Sequence, residues 1–155
     1  MSCRTQKAAC WDKLPRSSSL PHTLALCVKT TQTSPMIDHF EIKVRKFEEC
    51  KEFYSSVLLS LGVELKWSDE AGAGFGLIGE SKTRFLIEKA TQVSLCHAAF
   101  TAVDRDSVNA FHIAGEAKGY TCNGRPGVRE EYAPNYYAAF LLDPDGNNIE
   151  AVVYL

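Results

Sequence analysis

Leu142-Asp143-Pro144-Asp145-Gly146-Asn147-Asn148-Ile149-Glu150-Ala151-Val152-Val153-Tyr154 is the stretch whose reading decides the fold. Its first half is turn chemistry. Proline presets φ, the aspartates satisfy local backbone donors, and glycine takes positive φ without steric cost. Asn147 to Tyr154 is rich in β-branched residues and has no helix cap, so it reads as a strand. Glu150 stands in that strand among Ile149, Ala151, Val152 and Val153. A carboxylate in such company either faces solvent or meets something positive, because burying it unpaired is costly.

Working outward, the preceding sequence falls into two similar halves. Ile37 to Val44 alternates, with Phe40, Ile42 and Val44 on one face and His39 on the other, a half-buried strand. From Glu48 to Leu61 the period changes to three and four (Cys50, Phe53, Tyr54, Val57, Leu58, Leu61), an amphipathic helix ending at Gly62. Val63–Trp67, Gly74–Ile78 and Thr83–Lys89 read as three short strands. The second half begins with a strand over Leu95–Val103 that carries His97. A helix N-capped by Asp106 follows, stops at Gly119, and leads to strands at Tyr120–Cys122, Tyr136–Leu141 and Asn148–Tyr154. His39 to His97 and Phe53 to Phe111 are both 58 positions apart. Glu88 and Glu150, each in the last strand of its half, are 62 apart, and the extra residues fit a longer loop around Gly124–Pro134. The expected class is α+β, two tandem βαβββ modules over about 36–90 and 91–155 that bury their faces together.

The chain is long enough for one domain with a sizeable core. Its formal net charge is −2, and no general basic excess points to nucleic acid or an anionic membrane. No apolar run approaches the roughly 20 residues of a membrane span. Residues 1–35 differ from the rest. They hold Arg4, Lys7, Lys13, Arg16 and Lys29 against Asp12 alone, which leaves 12 basic and 18 acidic residues, a formal −6, in 36–155. This Ser- and Thr-rich segment shows no sustained periodicity and is expected to be an unstructured leader or extension, with an organelle presequence as an alternative. The six cysteines, Cys3, Cys10, Cys27, Cys50, Cys96 and Cys122, contain no C-x-x-C pair. Reduced thiols in a cytoplasmic protein are expected, with Cys50 in the core.

The paired histidine strands, the helix containing Phe53-Tyr54 and the Asp143-Pro144-Asp145-Gly146-Asn147-Asn148-Ile149-Glu150 ending resemble the vicinal oxygen chelate superfamily. That superfamily includes glyoxalase I, bleomycin-resistance proteins and extradiol dioxygenases. The resemblance covers 36–155. It implies curled sheets forming a cup around a divalent metal (Ni, Zn, Fe, Mn or Co), with His39, His97 and Glu150 as ligands by position and Glu88 as candidate fourth. A lone strand histidine is ordinarily a surface or hydrogen-bonded residue, and Glu88 is followed by Lys89, so each position also has an ordinary structural reading. Histidine and carboxylate without thiolate suit the metals named.

The resemblance further implies a small-molecule ligand, a homodimer, and one of three activities. In a glyoxalase-like lyase or isomerase, the cation stabilises an enediolate and Glu150 or Glu88 moves the proton. A bleomycin-resistance-like member binds and sequesters its ligand without metal. An extradiol-type dioxygenase would need a further acid–base group, for which Tyr132, Tyr136 and Tyr137 are available. Arg125, Tyr132 and Tyr136 are candidate substrate contacts, since Gly124–Tyr137 reads as a loop entering the strand before Glu150 and an arginine there suits a carboxylate or phosphate. Arg129, beside Glu130 and Glu131, reads as solvated, and His112 as a partly exposed helix residue.

Overall fold

The computed structural model describes residues 37–155, so the expectations for 1–35, including those for the three cysteines there, lie outside the described residues. The elements are β1 (Phe40–Val44), α1 (Phe47–Val57) continued by a 3-10 turn (Leu58–Leu61), β2 (Val63–Ser68), β3 (Gly72–Leu77) and β4 (Phe85–Lys89). Then come β5 (His97–Thr101), α2 (Arg105–Ala117), β6 (Thr121–Val128), β7 (Tyr136–Leu142) and β8 (Asn148–Tyr154). This is the expected βαβββ pair. Each module makes one open four-stranded sheet, ordered β1-β4-β3-β2 and β5-β8-β7-β6. The first and last strands of each module pair in parallel and the other pairs are antiparallel.

Alternation along the strands settles which face meets the helices. Ile42, Val44, Phe85 and Ile87 in the first sheet, and Ala98, Ile149 and Leu141 in the second, are buried. They join Phe53 and Tyr54 of α1 and Val108 and Phe111 of α2 in a single apolar cluster. Cys50 belongs to it, as its helix position predicts. The core therefore lies on the helix side of both sheets. Removing Phe53 or Phe111, each wholly buried, would cost about 3–5 kcal/mol by the usual penalty for aromatic truncation.

The C-terminal turn ties the modules together. Asp143 is buried, and its carboxylate accepts from Asp145 N–H (3.0 Å), Asn147 N–H (2.8 Å), Asn147 Nδ2 (2.8 Å) and the Tyr54 hydroxyl on α1 (2.7 Å). Gly146 takes φ 96° there, as the motif requires. The Asp145 carboxylate accepts the Arg45 and Lys46 backbone N–H groups, at a helix start that has no side-chain cap of its own.

Several boundaries differ from expectation. β1 begins at Phe40 rather than Ile37, leaving His39 just outside the strand. The cap of α2 is Asp104, not Asp106. The Asp104 carboxylate accepts from Ser107 N–H and Oγ–H, each at 2.8 Å, while Asp106 lies within the first turn. β6 runs to Val128, so Gly124 and Arg125 are strand residues instead of loop residues, with bulges flanking Gly124. His112 is buried, at 4% exposure, rather than partly exposed.

Register also revises the internal repeat. Glu150 pairs with Ala99, two residues after His97. The matching position in the first module, two residues after His39, is Glu41, and its partner is Leu86. Leu86, not Glu88, is thus the counterpart of Glu150. Glu88 pairs with Lys43 and corresponds to Val152.

Candidate functional site

Ala99, Glu150 and Phe140 sit side by side across β5, β8 and β7, on the face turned away from the helices. On that face Glu150 is only 2% exposed, so the sequence's odd carboxylate is a buried one. Its partners explain how it is tolerated. His97 Nε2 lies 2.9 Å from Oε2, and the Tyr136 hydroxyl donates to Oε1 at 2.6 Å. Asn123 Nδ2 donates to Asn148 Oδ1 (2.9 Å), which leaves Asn148 Nδ2 to donate to His97 Nδ1 (2.6 Å). In this arrangement Nδ1 is an acceptor and Nε2 carries the proton given to Glu150. The polar chain Asn123–Asn148–His97–Glu150–Tyr136 is therefore satisfied end to end, running from exposed Asn123 through half-exposed His97 to the buried Glu150 carboxylate. Partial burial, the bond to Glu150 and its negative charge push the Tyr136 hydroxyl well above the ordinary tyrosine range, so it remains a donor.

Aromatic residues flank the carboxylate. Phe140 is 6.3 Å from the His97 ring, centroid to centroid. Tyr132 meets Tyr136 edge-on at 5.6 Å and Phe140 at 6.5 Å. Arg129, expected to be solvated, holds its guanidinium 5.7 Å above the Phe140 ring, and donates to the Arg125 carbonyl at 2.6 Å. Arg125 itself contributes that carbonyl from β6 and its side chain is exposed. Tyr137 points to the helix side, where its hydroxyl donates to Asn109 Oδ1 at 2.8 Å, which removes it from this face. Beside His97 lies a cleft of about 460 Å³, lined by Phe40, Phe75, Phe85 and Phe100 with Arg84 at its polar edge. Among the described residues, the buried Arg84 Nε has no hydrogen-bond partner.

The other expected ligands are placed elsewhere on the same chain. His39 is exposed, its Nδ1 3.1 Å from Asp38 Oδ1. Lys82 and His39 together hold the Asp38 carboxyl down at about 2. Glu88, about half exposed, faces Lys43 at 3.5 Å. The position in the first module that matches Glu150 carries Leu86, and the face beside it is covered by the Trp67 indole lying against Gly72 and Gly74. Among the described residues, the group of three or more metal-ligating side chains whose donor atoms lie within 4.8 Å of one another is His112, Glu116 and Cys122. The His97–Glu150 pair has no third such neighbour. Asn148 and Asn123 were missed by sequence reasoning. An asparagine one strand-step from a buried carboxylate leaves no periodic signal, and Asn123 is positioned by a β-bulge.

Comparison with known proteins decides the family. Residues 36–151 match the family model described as the glyoxalase/bleomycin resistance protein/dioxygenase superfamily. The chain belongs to that superfamily. Among solved structures, this superfamily member resembles a glyoxalase/bleomycin resistance protein from Albidiferax ferrireducens T118, at 29% identity and a TM-score of 0.63, over 76% of this chain and 98% of that one. It also resembles the lactoylglutathione lyase of Agrobacterium tumefaciens in fold, at 18% identity and a TM-score of 0.58, over 78% and 95% of the two chains. A glyoxalase/bleomycin resistance protein/dioxygenase family enzyme from Burkholderia phytofirmans PsJN shares the fold at 17% identity, TM-score 0.56, over 76% and 98%. No curated protein matches the chain. No helix among the described residues of this superfamily member is long and apolar enough to cross a membrane.

Proposed function

We propose that the chain is a glyoxalase-like metalloenzyme of the lyase or isomerase type, acting on a small substrate that presents two neighbouring oxygens. The observation that carries this reading is the buried Glu150 with His97 Nε2 at 2.9 Å and no counter-charge other than that imidazole. The donor set fits a divalent cation. His97 and Glu150 are the residues that would hold it, and their nitrogen–carboxylate chemistry suits zinc, nickel, iron, cobalt or manganese. Among the described residues, one chain brings two of these ligands together. We assign His39, with Glu88 as candidate fourth ligand, to the same cation from a second copy, in a homodimer. The face carrying Glu150 is turned away from its own helices, and it is the face this assignment gives to such a copy.

The bound cation would supply Lewis-acid stabilisation to oxygen charge on the substrate. The chain's own residues do the rest. Asn148 fixes the orientation of the His97 ring; for Nε2 to hold a cation its proton must move to Nδ1, with the Asn123 and Asn148 amides turned over together so that Asn148 Oδ1 accepts it. Glu150 Oε1 takes a proton from one carbon and returns it to the neighbour, and the Tyr136 hydroxyl keeps that oxygen oriented while it does so. Tyr132, Phe140 and Arg129 border the space in which the substrate's remaining atoms would lie, with Arg125 behind Arg129.

The cleft lined by Phe40, Phe75, Phe85 and Phe100 favours a second reading, a metal-free protein that sequesters an apolar ligand. Metal analysis of the purified full-length protein separates the two. The first reading expects one divalent ion per Glu150, lost in His97→Ala and Glu150→Ala. Full occupancy in His39→Ala and His97→Ala alike would remove the proposed site. Iron in place of nickel or zinc would point to oxygenase chemistry.

A further inference from the structure

On the helix side of the second sheet, remote from the Glu150 face, a carboxylate, an imidazole and a thiol stand in series. Cys122 on β6 pairs with Leu141 on β7. Helix α2 lies unusually close to that pair because Gly115 has no side chain: a Cβ there would sit 2.4 Å from Leu141 Cδ1. The close approach presses His112, three residues earlier on the same helix face, against β6. His112 is buried, with Nε2 3.1 Å from Cys122 Sγ and Nδ1 3.4 Å from Glu116 Oε2, one helical turn on. Cys122 is exposed.

The two ring nitrogens therefore serve different partners. Glu116 is an ion-pair neighbour of Nδ1 rather than a hydrogen-bond partner, and its charge favours a proton on that side of the ring, which leaves the Nε2 lone pair facing the thiol. A thiol in hydrogen-bond contact with an imidazole that has a carboxylate beside its other nitrogen is the arrangement of an activated nucleophile. Of the other two described cysteines, Cys50 lies in the apolar core and Cys96 packs against it. Burial, reinforced by the Asp143 charge, pushes the Cys50 and Cys96 thiols up.

We propose that Cys122 is a nucleophilic thiol that exchanges with small-molecule disulfides, with His112 as its base and Glu116 as a positioning residue for His112. The Cys122 Sγ–H proton passes to His112 Nε2. Sγ then attacks one sulfur of the disulfide, forming a mixed disulfide and breaking the original S–S bond. The electron pair leaves on the second sulfur, which takes the proton back from the imidazolium and departs as a thiol. Cys122 is oxidised and the small disulfide is reduced, so the step balances without a further reagent.

The test treats the full chain with oxidised glutathione at neutral pH and follows each cysteine by peptide mass spectrometry. A free cysteine is a few per cent thiolate at that pH, so activation raises the rate at Cys122 by about tenfold once its reduced basicity is counted. His112→Gln should return it to the free-thiol rate. Glu116→Gln, at a half-exposed position that leaves folding intact, should lower the rate at Cys122 several-fold, with the rate at Cys96 and the thermal midpoint unchanged. That split is one a general loosening of the fold cannot produce. A Cys122 that reacts no faster than free cysteine, or a Glu116→Gln variant that changes Cys96 and Cys122 alike, overturns the proposal.

Discussion

Replacing Tyr136 by Phe is the most informative single change to the Glu150 face. It deletes one hydroxyl and leaves ring, strand and packing in place. The lost bond is 2.6 Å long and ends on a carboxylate whose side chain is 3% exposed. A hydrogen bond to a charged group contributes about 1.5–3 kcal/mol, and removing one partner exposes the other to its full desolvation cost. His97, half exposed beside it, gives water a route to the carboxylate, so the lower end, about 1.5 kcal/mol, is the expected loss. For a domain of this size that is roughly 5–8 °C in thermal midpoint. Urea unfolding of the metal-free protein measures it directly. The same deletion in a Glu150→Gln background should cost about half as much, because the acceptor is then neutral. In the metal-loaded protein, loss of an outer-sphere bond of this kind lowers affinity by about 10–100-fold. An equal loss in both backgrounds would refute the argument, since it would mean that the hydroxyl's contribution has nothing to do with the Glu150 charge.

Three further outcomes follow from the same structure. Tyr54→Phe removes the donor that α1 offers to buried Asp143 and should lower the unfolding free energy by about 2 kcal/mol, read by denaturant titration. Gly115→Ala sets a methyl 2.4 Å from Leu141 Cδ1; overpacking of about 2 kcal/mol should outweigh the roughly 1 kcal/mol gained in helix propensity, lowering the thermal midpoint. Burial chiefly, with the Asp143 and Glu150 charges, raises the Tyr54 and Tyr136 hydroxyls above their unfolded value. Their contribution to stability is therefore complete below about pH 10 and is lost as pH rises from there through the folded values, which ultraviolet detection of tyrosinate against unfolding should show.

Much of this was legible in the sequence because it rests on short-range chemistry. The Asp143–Gly146 turn, the three-and-four spacing from Cys50 to Leu61 and the alternation about Phe40–Val44 each report a local backbone preference. They were enough to give the two modules and to single out His97 and Glu150. The parts that were not legible depend on partners far along the chain. Asp104 caps α2 instead of Asp106 because two good capping residues stand two apart and only the backbone angle decides between them. His112 reads as a surface histidine from its helix alone. It is buried because Gly115 lets the helix down onto Leu141, a contact no local pattern records.

The Glu88 position shows most clearly where a sequence argument reaches its end. Counting from the histidines, offsets of 58 and 62 made Glu88 and Glu150 look equivalent, with the difference absorbed by a loop. In a sheet, equivalence is fixed by which residues lie abreast, and a shift of two preserves the face while moving the side chain one full repeat along the strand. That shift puts Leu86 where Glu150 stands and sets Glu88 opposite Lys43, on the correct face but one step along it. The two modules are alike in fold and unlike in chemistry. The second carries a buried carboxylate bonded to a half-exposed histidine, while the first presents a leucine, a tryptophan packed over glycines, and an exposed His39. The two modules therefore offer different side chains to any ligand.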